Sequence, residues 1–204
     1  MIGSIPTSII ACKWIKGIDI RDYGSRNAGA TNVMRVAGLR IAIAVLLIDM
    51  LKGITGVKLI AFMPHLSSGY LNGWGAVLGG FMVVAGHVWT VFAGFKGGKG
   101  IGAGLGVFLY LSPVPALGGL VVFIILVWAF RYVSLGSLFA GLCNAIINTI
   151  FWFEIFDDFH SAGALVFLSW ITEIFIIATH RANIIRLLNG TENRIGQKVE
   201  VKKV

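Results

Sequence analysis

The sequence predicts an all-α, polytopic integral membrane protein of about seven transmembrane helices, with the N-terminus outside and the C-terminus cytoplasmic. Three observations carry that expectation. Of 204 residues, 57% are hydrophobic and only 13% charged, and mean hydropathy is +0.86. An average soluble domain is about 25% charged, so this chain has roughly half the polar coat such a domain needs. Apolar runs recur at lengths near the ~20 helical residues that cross a bilayer, and no window alternates strictly as a barrel strand would. Finally, Lys and Arg gather in clusters that share one side only if the chain is threaded seven times. A soluble globular domain, a disordered tail and an ordinary nucleic-acid binder are excluded, despite a net charge of +8.

Taken in order, Ile2–Trp14 is apolar but brief for a span. No basic region precedes it and no small-residue cleavage pattern follows, so it is not read as a secretory signal; a start residue further upstream would explain its brevity. Six of the 17 Lys and Arg lie between Lys13 and Arg40. Leu39–Met63 is the second span, with Asp49 and Lys52 spaced i,i+3 inside it. Such an intramembrane pair is either functional or a charge-neutral strut. Pro64–Gly69 has no Lys or Arg, which places it on the far side, and His65 there reads as a surface residue. Leu71–Gly94 is the third span, returning to Lys96 and Lys99. Ile101–Ser112 would be only ~18 Å long as a helix. A turn at Ser112–Pro115 nevertheless keeps Arg131, at the end of Val114–Phe130, on the basic side. Tyr132–Phe153 leads to the acidic Glu154–His160. Phe159–Thr179 then returns to a tail holding six more Lys and Arg from Arg181 to Lys203. Cys12 and Cys143 sit in apolar runs without metal or disulfide spacing. The whole chain, 1–204, reads as a single transmembrane domain.

Three polar segments, 19–35, 86–106 and 180–194, fall on the cytoplasmic face. The first sets Ser25, Asn27, Thr31 and Asn32 among Gly24, Gly29, Arg26 and Arg35. Ser, Asn and Arg donate to anionic oxygens, although a solvated basic loop with Asn or Ser helix caps has the same composition. The second places seven glycines between Gly94 and Gly106, with Lys96 and Lys99 among them. A glycine-rich turn entering a helix offers free N–H groups to phosphate, and small residues also let membrane helices pack closely. Both uses are expected here: anion binding at Gly97, Gly98 and Lys99, packing at Gly102, Gly104 and Gly106. A nucleotide P-loop is excluded, because Ala93 breaks the spacing and Gly100 replaces the magnesium-holding hydroxyl. In the third, His180 and Asn183 share a helical face, and Asn189-Gly190 is the expected helix stop. Glu192 is expected to anchor an arginine, and an interfacial helix with snorkelling basic side chains is the plainer account of this stretch.

Gly3-Ser-Ile-Pro6, Gly24-Ser-x-Asn-x-Gly-Ala-Thr-Asn-x-x-Arg35, Gly86-His with Phe95-Lys-Gly-Gly-Lys-Gly100, and His180-Arg-x-Asn-Ile-x-Arg-Leu-Leu-x-Gly-x-Glu192 resemble the bacterial acyl-phosphate:glycerol-3-phosphate acyltransferase family (PlsY type). The resemblance runs from residue 3 to about residue 195, in the family's order, and Asp49 and Lys52-Gly53 fit it too. Arg26 stands where the family usually has glycine, Thr90 where proline is usual, and the first helix is about half its usual length. The resemblance implies a seven-helix enzyme of the bacterial inner membrane, with its active site facing the cytoplasm. It also implies transfer of a fatty acyl group from acyl phosphate to the 1-hydroxyl of sn-glycerol 3-phosphate. The products are lysophosphatidate and phosphate, on the way to phosphatidic acid and phospholipid. No cofactor, metal, coenzyme A thioester or acyl carrier protein is expected to take part, and no nucleic acid.

On that reading Ser25, Asn27 and Arg35 meet the acyl phosphate, and Asn27 is a candidate oxyanion donor. Lys96, Gly97, Gly98, Lys99 and Gly100 hold glycerol 3-phosphate, with Thr31, Asn32 and His87 beside them. His180 and Asn183 orient the reacting groups, while Asp49, Lys52 and Glu192 are structural. Either His87 or a substrate phosphate oxygen takes the hydroxyl proton. The phosphate is preferred because no carboxylate accompanies His87 in sequence. None of the four histidines has Asp five positions later, so the His-x4-Asp pattern of thioester-using acyltransferases is absent. An organophosphate transporter is the alternative from another class, although no internal repeat is found.

Overall fold

The structure, a computed structural model, describes residues 1–61, 74–154 and 159–197. The expected far-side loop 64–69 with His65 lies outside the described residues, as do 155–158 within the acidic segment. Every regular element among the described residues is helical. A short turn, Ile2–Ser4, precedes α1 (Thr7–Lys16), so the first apolar run is two pieces rather than one helix. Pro6 divides them, having no N–H to continue the turn. Gly17, at φ +71°, ends α1: its N–H donates to the Lys13 carbonyl and the following Ile18 N–H to that of Cys12. Next come α2 (Ala30–Ala37) and α3 (Leu39–Ala61), then α4 (Trp74–Val88) and α5 (Ile101–Leu111). The expected turn at Ser112 opens α6 (Pro113–Phe130), with prolines in its first turn where no N–H is needed. The chain ends with α7 (Val133–Glu154), α8 (Phe159–Thr179) and α9 (Arg181–Leu188).

By length and composition, three segments can cross a membrane alone: Trp74–Ala93, Pro113–Phe130 and Val133–Phe151. Residues Gly163–Thr179 and Arg181–Leu188, bent by 62° at His180, make a fourth as a broken span. The 23-residue α3 is long enough but carries Arg40, Asp49, Lys52 and Lys58, while α5 has only 11 residues.

Apolar packing joins α1, α2 and α3 through Ile9, Cys12, Ile20, Val33 and Val45. A second core of Val57, Val77, Val84, Val107 and Leu168 joins α3, α4, α5 and α8. Backbones approach closely where side chains vanish. A Cβ on Gly53 would meet the Ala103 carbonyl, and one on Gly106 would meet the Met50 carbonyl, so α5 lies flush against α3. Large apolar side chains such as Met82 and Trp128 remain exposed at 67% and 84%, and Leu51, Leu78, Val121 and Ile124 are more than half exposed. That outward-facing apolar surface suits lipid rather than water.

Candidate active site

The first polar segment is wound around one buried side chain. Asn32 Nδ2 reaches the carbonyls of Ile20 (3.2 Å), Tyr23 (2.9 Å) and Asn27 (3.1 Å), and its Oδ1 accepts from the Ser25 N–H at 2.9 Å. Both ends of the amide are therefore engaged with backbone. Asn32, expected beside the substrate, shapes the loop that carries Ser25 and Asn27 and also lines the cleft described below. Asp19 caps the short turn Ile20–Asp22 and holds the Arg21 guanidinium at 2.7 Å, while Arg21 Nη1 donates to the Ala93 carbonyl at 2.8 Å. The first segment is thus tied to the loop after α4. Thr31 and Arg35, four apart on α2, face the same way as Ser25 and Asn27. Arg26 sits at φ +58° with its side chain exposed, which explains why glycine suits this position. It does not line the cleft.

The second segment departs most from expectation. The Gly97 N–H donates to the Val88 carbonyl at 2.9 Å and the Gly98 N–H to the His87 carbonyl at 3.1 Å. These amides are not free for an anion. A Cβ on Gly97 would meet the His87 carbonyl, and one on Gly98 would meet the His87 ring. The two glycines exist to fold the loop tightly over the end of α4. Thr90 helps by donating its buried hydroxyl to the Ser4 carbonyl. Lys96 is exposed and, like Gly97, Gly98 and Gly100, does not line the cleft. His87, Lys99, Ile101 and Gly102 are what this segment contributes.

The third segment supplies the counter-charge. His180 occupies the bend between α8 and α9, and its Nδ1 lies 2.9 Å from the Ile176 carbonyl. A carbonyl only accepts, so this bond places the proton on Nδ1 and leaves Nε2 as an acceptor. Asn183 bridges two partners: its Oδ1 accepts from Lys99 Nζ, and its Nδ2 donates to Glu192 Oε1 at 2.7 Å. Glu192 also accepts from Ser134 Oγ at 3.1 Å and from Arg186 Nε at 2.7 Å, the arginine partner the sequence called for. Arg35 Nη2 reaches the Asn193 carbonyl at 3.4 Å. The tail beyond is strapped down by Arg131, whose carbonyl accepts from the Ile195 N–H at 2.8 Å and whose Nη2 donates to the Ile195 carbonyl at 3.0 Å.

These residues enclose a cleft of ≈ 850 Å³, counting space open to solvent, lined by Ser25, Asn27, Thr31, Arg35, Lys99, His180, Asn183 and Glu192. Burial pushes Lys99 down to about 8; Glu192 resists, while Arg186 and Arg35 push the same way as burial. Burial also takes His180 to about 4, and neighbouring Lys99 adds to that, so its imidazole is neutral at pH 7. In the cleft wall, where Asp49 and His87 also belong to the lining, Asp49 Oδ1 pairs with Lys52 Nζ at 2.6 Å, and Lys52 donates to the Ile5 carbonyl at 2.7 Å. His87 Nδ1 lies 3.8 Å from Asp49 Oδ1, so a carboxylate does accompany this histidine, from α3. Sequence spacing had no means of revealing it. Nor did it single out Ser134, the first-turn hydroxyl of α7 that helps hold Glu192.

The cleft shares Leu46, Ile101, Phe123 and Ser137 with a second space of ≈ 760 Å³, an apolar groove between α5, α6, α7 and α8. A cationic cleft joined to an oily groove, in a chain with membrane-length helices, marks a membrane enzyme. The chain belongs to the glycerol-3-phosphate acyltransferase family, whose model matches residues 1–190. It is 41% identical to the glycerol-3-phosphate acyltransferase of Chlorobium phaeovibrioides (strain DSM 265 / 1930), over 96% of this chain and 92% of that one. It is 42% identical to the protein of the same name from Thermoanaerobacter sp. (strain X514), over 99% and 94%. Among solved structures it resembles PlsY (YgiH), described as an integral membrane glycerol 3-phosphate acyltransferase. For the glycerol 3-phosphate form the TM-score is 0.82 at 35% identity, covering 96% of this chain and 90% of that one. The lysophosphatidic acid form gives 0.80 at 34%, covering 96% and 91%. The chain is accordingly a membrane acyltransferase, and the transporter alternative gains nothing from these relatives.

Proposed function

We propose that this chain transfers a fatty acyl group from acyl phosphate to the 1-hydroxyl of sn-glycerol 3-phosphate at the cytoplasmic face of the bacterial inner membrane. The observation that carries the reading is the continuity of the cleft with the groove. Arg35 and Lys99 provide the positive charge needed to hold two anions within bonding distance, and the groove takes the acyl tail. Ser25, Asn27 and Thr31 offer hydrogen bonds to the acyl-phosphate head, with Asn27 the oxyanion donor. A well-placed donor of that kind is worth roughly 3–4 kcal/mol. His180 Nε2 accepts from a glycerol hydroxyl, and Asn183 keeps Lys99 in register with Glu192.

The reaction needs no covalent intermediate, because an acyl phosphate already carries a good leaving group. The C1 hydroxyl oxygen attacks the acyl carbonyl carbon, the carbon–oxygen bond to phosphate breaks, and phosphate leaves with the electron pair. A phosphate oxygen takes the hydroxyl proton, leaving lysophosphatidate and inorganic phosphate. Although Asp49 stands near His87, 3.8 Å exceeds a hydrogen bond, and the His87 ring is covered by Gly98. His87 is therefore read as a support beneath the Gly97–Gly98 loop, not as the base.

In this reading residues 1–204 form one domain of seven passes, α1 and α3 to α8, with the N-terminus outside and the C-terminus cytoplasmic. The clustering of Lys and Arg in alternate connections supports that threading. The purified protein, given labelled glycerol 3-phosphate with palmitoyl phosphate, palmitoyl-CoA or neither, should make lysophosphatidate with palmitoyl phosphate alone. Product from palmitoyl-CoA but not from palmitoyl phosphate overturns the proposed donor.

A further inference from the structure

The wall of the apolar groove contains a polar station that the reaction does not use. Glu173 is on α8, seven residues before His180, hence about 10 Å deeper along the helix at 1.5 Å per residue. It is 4% exposed and lines the groove. Its Oε2 has no hydrogen-bond partner among the described residues, and Thr172 Oγ1, also on the groove wall, is buried in the same condition. The neighbouring hydroxyls of Ser169 and Ser137 are already engaged with the carbonyls of Leu165 and Val133. Across the groove, a Cβ on Gly141 would meet Glu173 Oε2, so the bare backbone of α7 admits the carboxyl.

A buried polar atom left without a partner is costly, and an ionisable residue inside a membrane is by default a functional one. For an unsubstituted hydrocarbon chain, leucine would make the better wall. A carboxyl offers two acceptor oxygens, and a donor when protonated; a threonine hydroxyl offers both. We propose that Glu173 and Thr172 form a hydrogen-bonding subsite that admits acyl chains carrying a hydroxyl part-way along their length. The inference rests on the reading that the groove holds the acyl tail. With the carbonyl at the Lys99 end, an extended chain of ~1.5 Å bonds advances about 1.25 Å per carbon and reaches Glu173 near its eighth to tenth carbon.

The test compares kcat/KM for palmitoyl phosphate and 10-hydroxypalmitoyl phosphate in the full-length enzyme. The wild type should use the two within about fivefold of each other. Glu173→Leu should lower the hydroxylated-to-plain ratio at least tenfold, the loss falling on KM of the hydroxylated chain. Glu173→Gln, which retains donor and acceptor, should preserve the ratio, and moving the hydroxyl to carbon 3 should remove the wild-type tolerance. Should Glu173→Leu fail to fold, Thr172→Val carries the same measurement, with a smaller drop expected. A ratio unchanged within twofold, or a change in preferred chain length in its place, overturns the subsite while leaving the acyl-phosphate reading standing. Failure of the wild type to use palmitoyl phosphate at all overturns that reading, and the subsite with it.

Discussion

Lys99 gives the sharpest test of the cleft's electrostatics. Its ammonium is pushed from 10.5 down to about 8 by burial, against the pull of Glu192. The charged form therefore prevails below pH 8 and is lost above it. From pH 7 to pH 9 the charged fraction falls from about nine-tenths to about one-tenth. A phosphate monoester completes its titration near pH 6, so the substrate's charge is constant over that interval. Because kcat/KM reports the free enzyme, its value for glycerol 3-phosphate should fall about tenfold between pH 7 and 9, mostly through KM. Lys99→Arg should flatten that limb, since a guanidinium stays charged, and should lower the maximum, since a planar fork replaces a compact point charge. The assay is initial formation of labelled lysophosphatidate at saturating palmitoyl phosphate, with uncatalysed transfer subtracted at each pH. A wild-type profile level to pH 9.5, or the same falling limb in Lys99→Arg, refutes the reasoning.

Glu192→Gln removes the one influence holding the Lys99 value up, so the falling limb should move to lower pH; an unmoved limb in that profile counts against the assigned network. Asp49→Leu and Lys52→Met each strand a partner that is about 5% exposed or less, which should cost about 3–5 kcal/mol singly and much less together. Thermal unfolding in detergent that shows simple additivity contradicts this. Gly98→Ala drives a methyl into the His87 ring and should abolish acyl transfer with little loss of expression, as read by activity per folded molecule. Arg26→Gly relieves a left-handed backbone costing ~1–2 kcal/mol, offset by the entropy of glycine, and should raise the melting midpoint by a few degrees with turnover unchanged.

The helices were legible because lipid demands long apolar runs and because Ser112 and Gly190 punctuate them; the break at Pro6 inside the first apolar run was not. The cleft was legible as three segments, because Ser25, Asn27, Arg35, Lys99, His180, Asn183 and Glu192 are polar in places where loops need no such chemistry. What sequence could not resolve was which polar atoms were free. Asn32 and Ser25 are alike as donors, yet the Asn32 amide is enclosed by its own loop. Gly97 and Gly98 fit a phosphate cradle in composition, but their N–H groups close a turn on α4. The approach of Asp49 to His87 depends on how α3 packs on α4, and a glycine-rich interface leaves no periodic mark that reveals it.

Leu46, Ile101, Phe123 and Ser137 border both chambers, so the frontier between water and oil runs through the protein's interior. A slender amphiphile with an anionic head can span that frontier and rest in both at once. The micelle chosen to extract the protein is therefore a variable of its chemistry: straight-tailed anionic detergents share the outline of the proposed lysophosphatidate product, and broad steroidal ones do not.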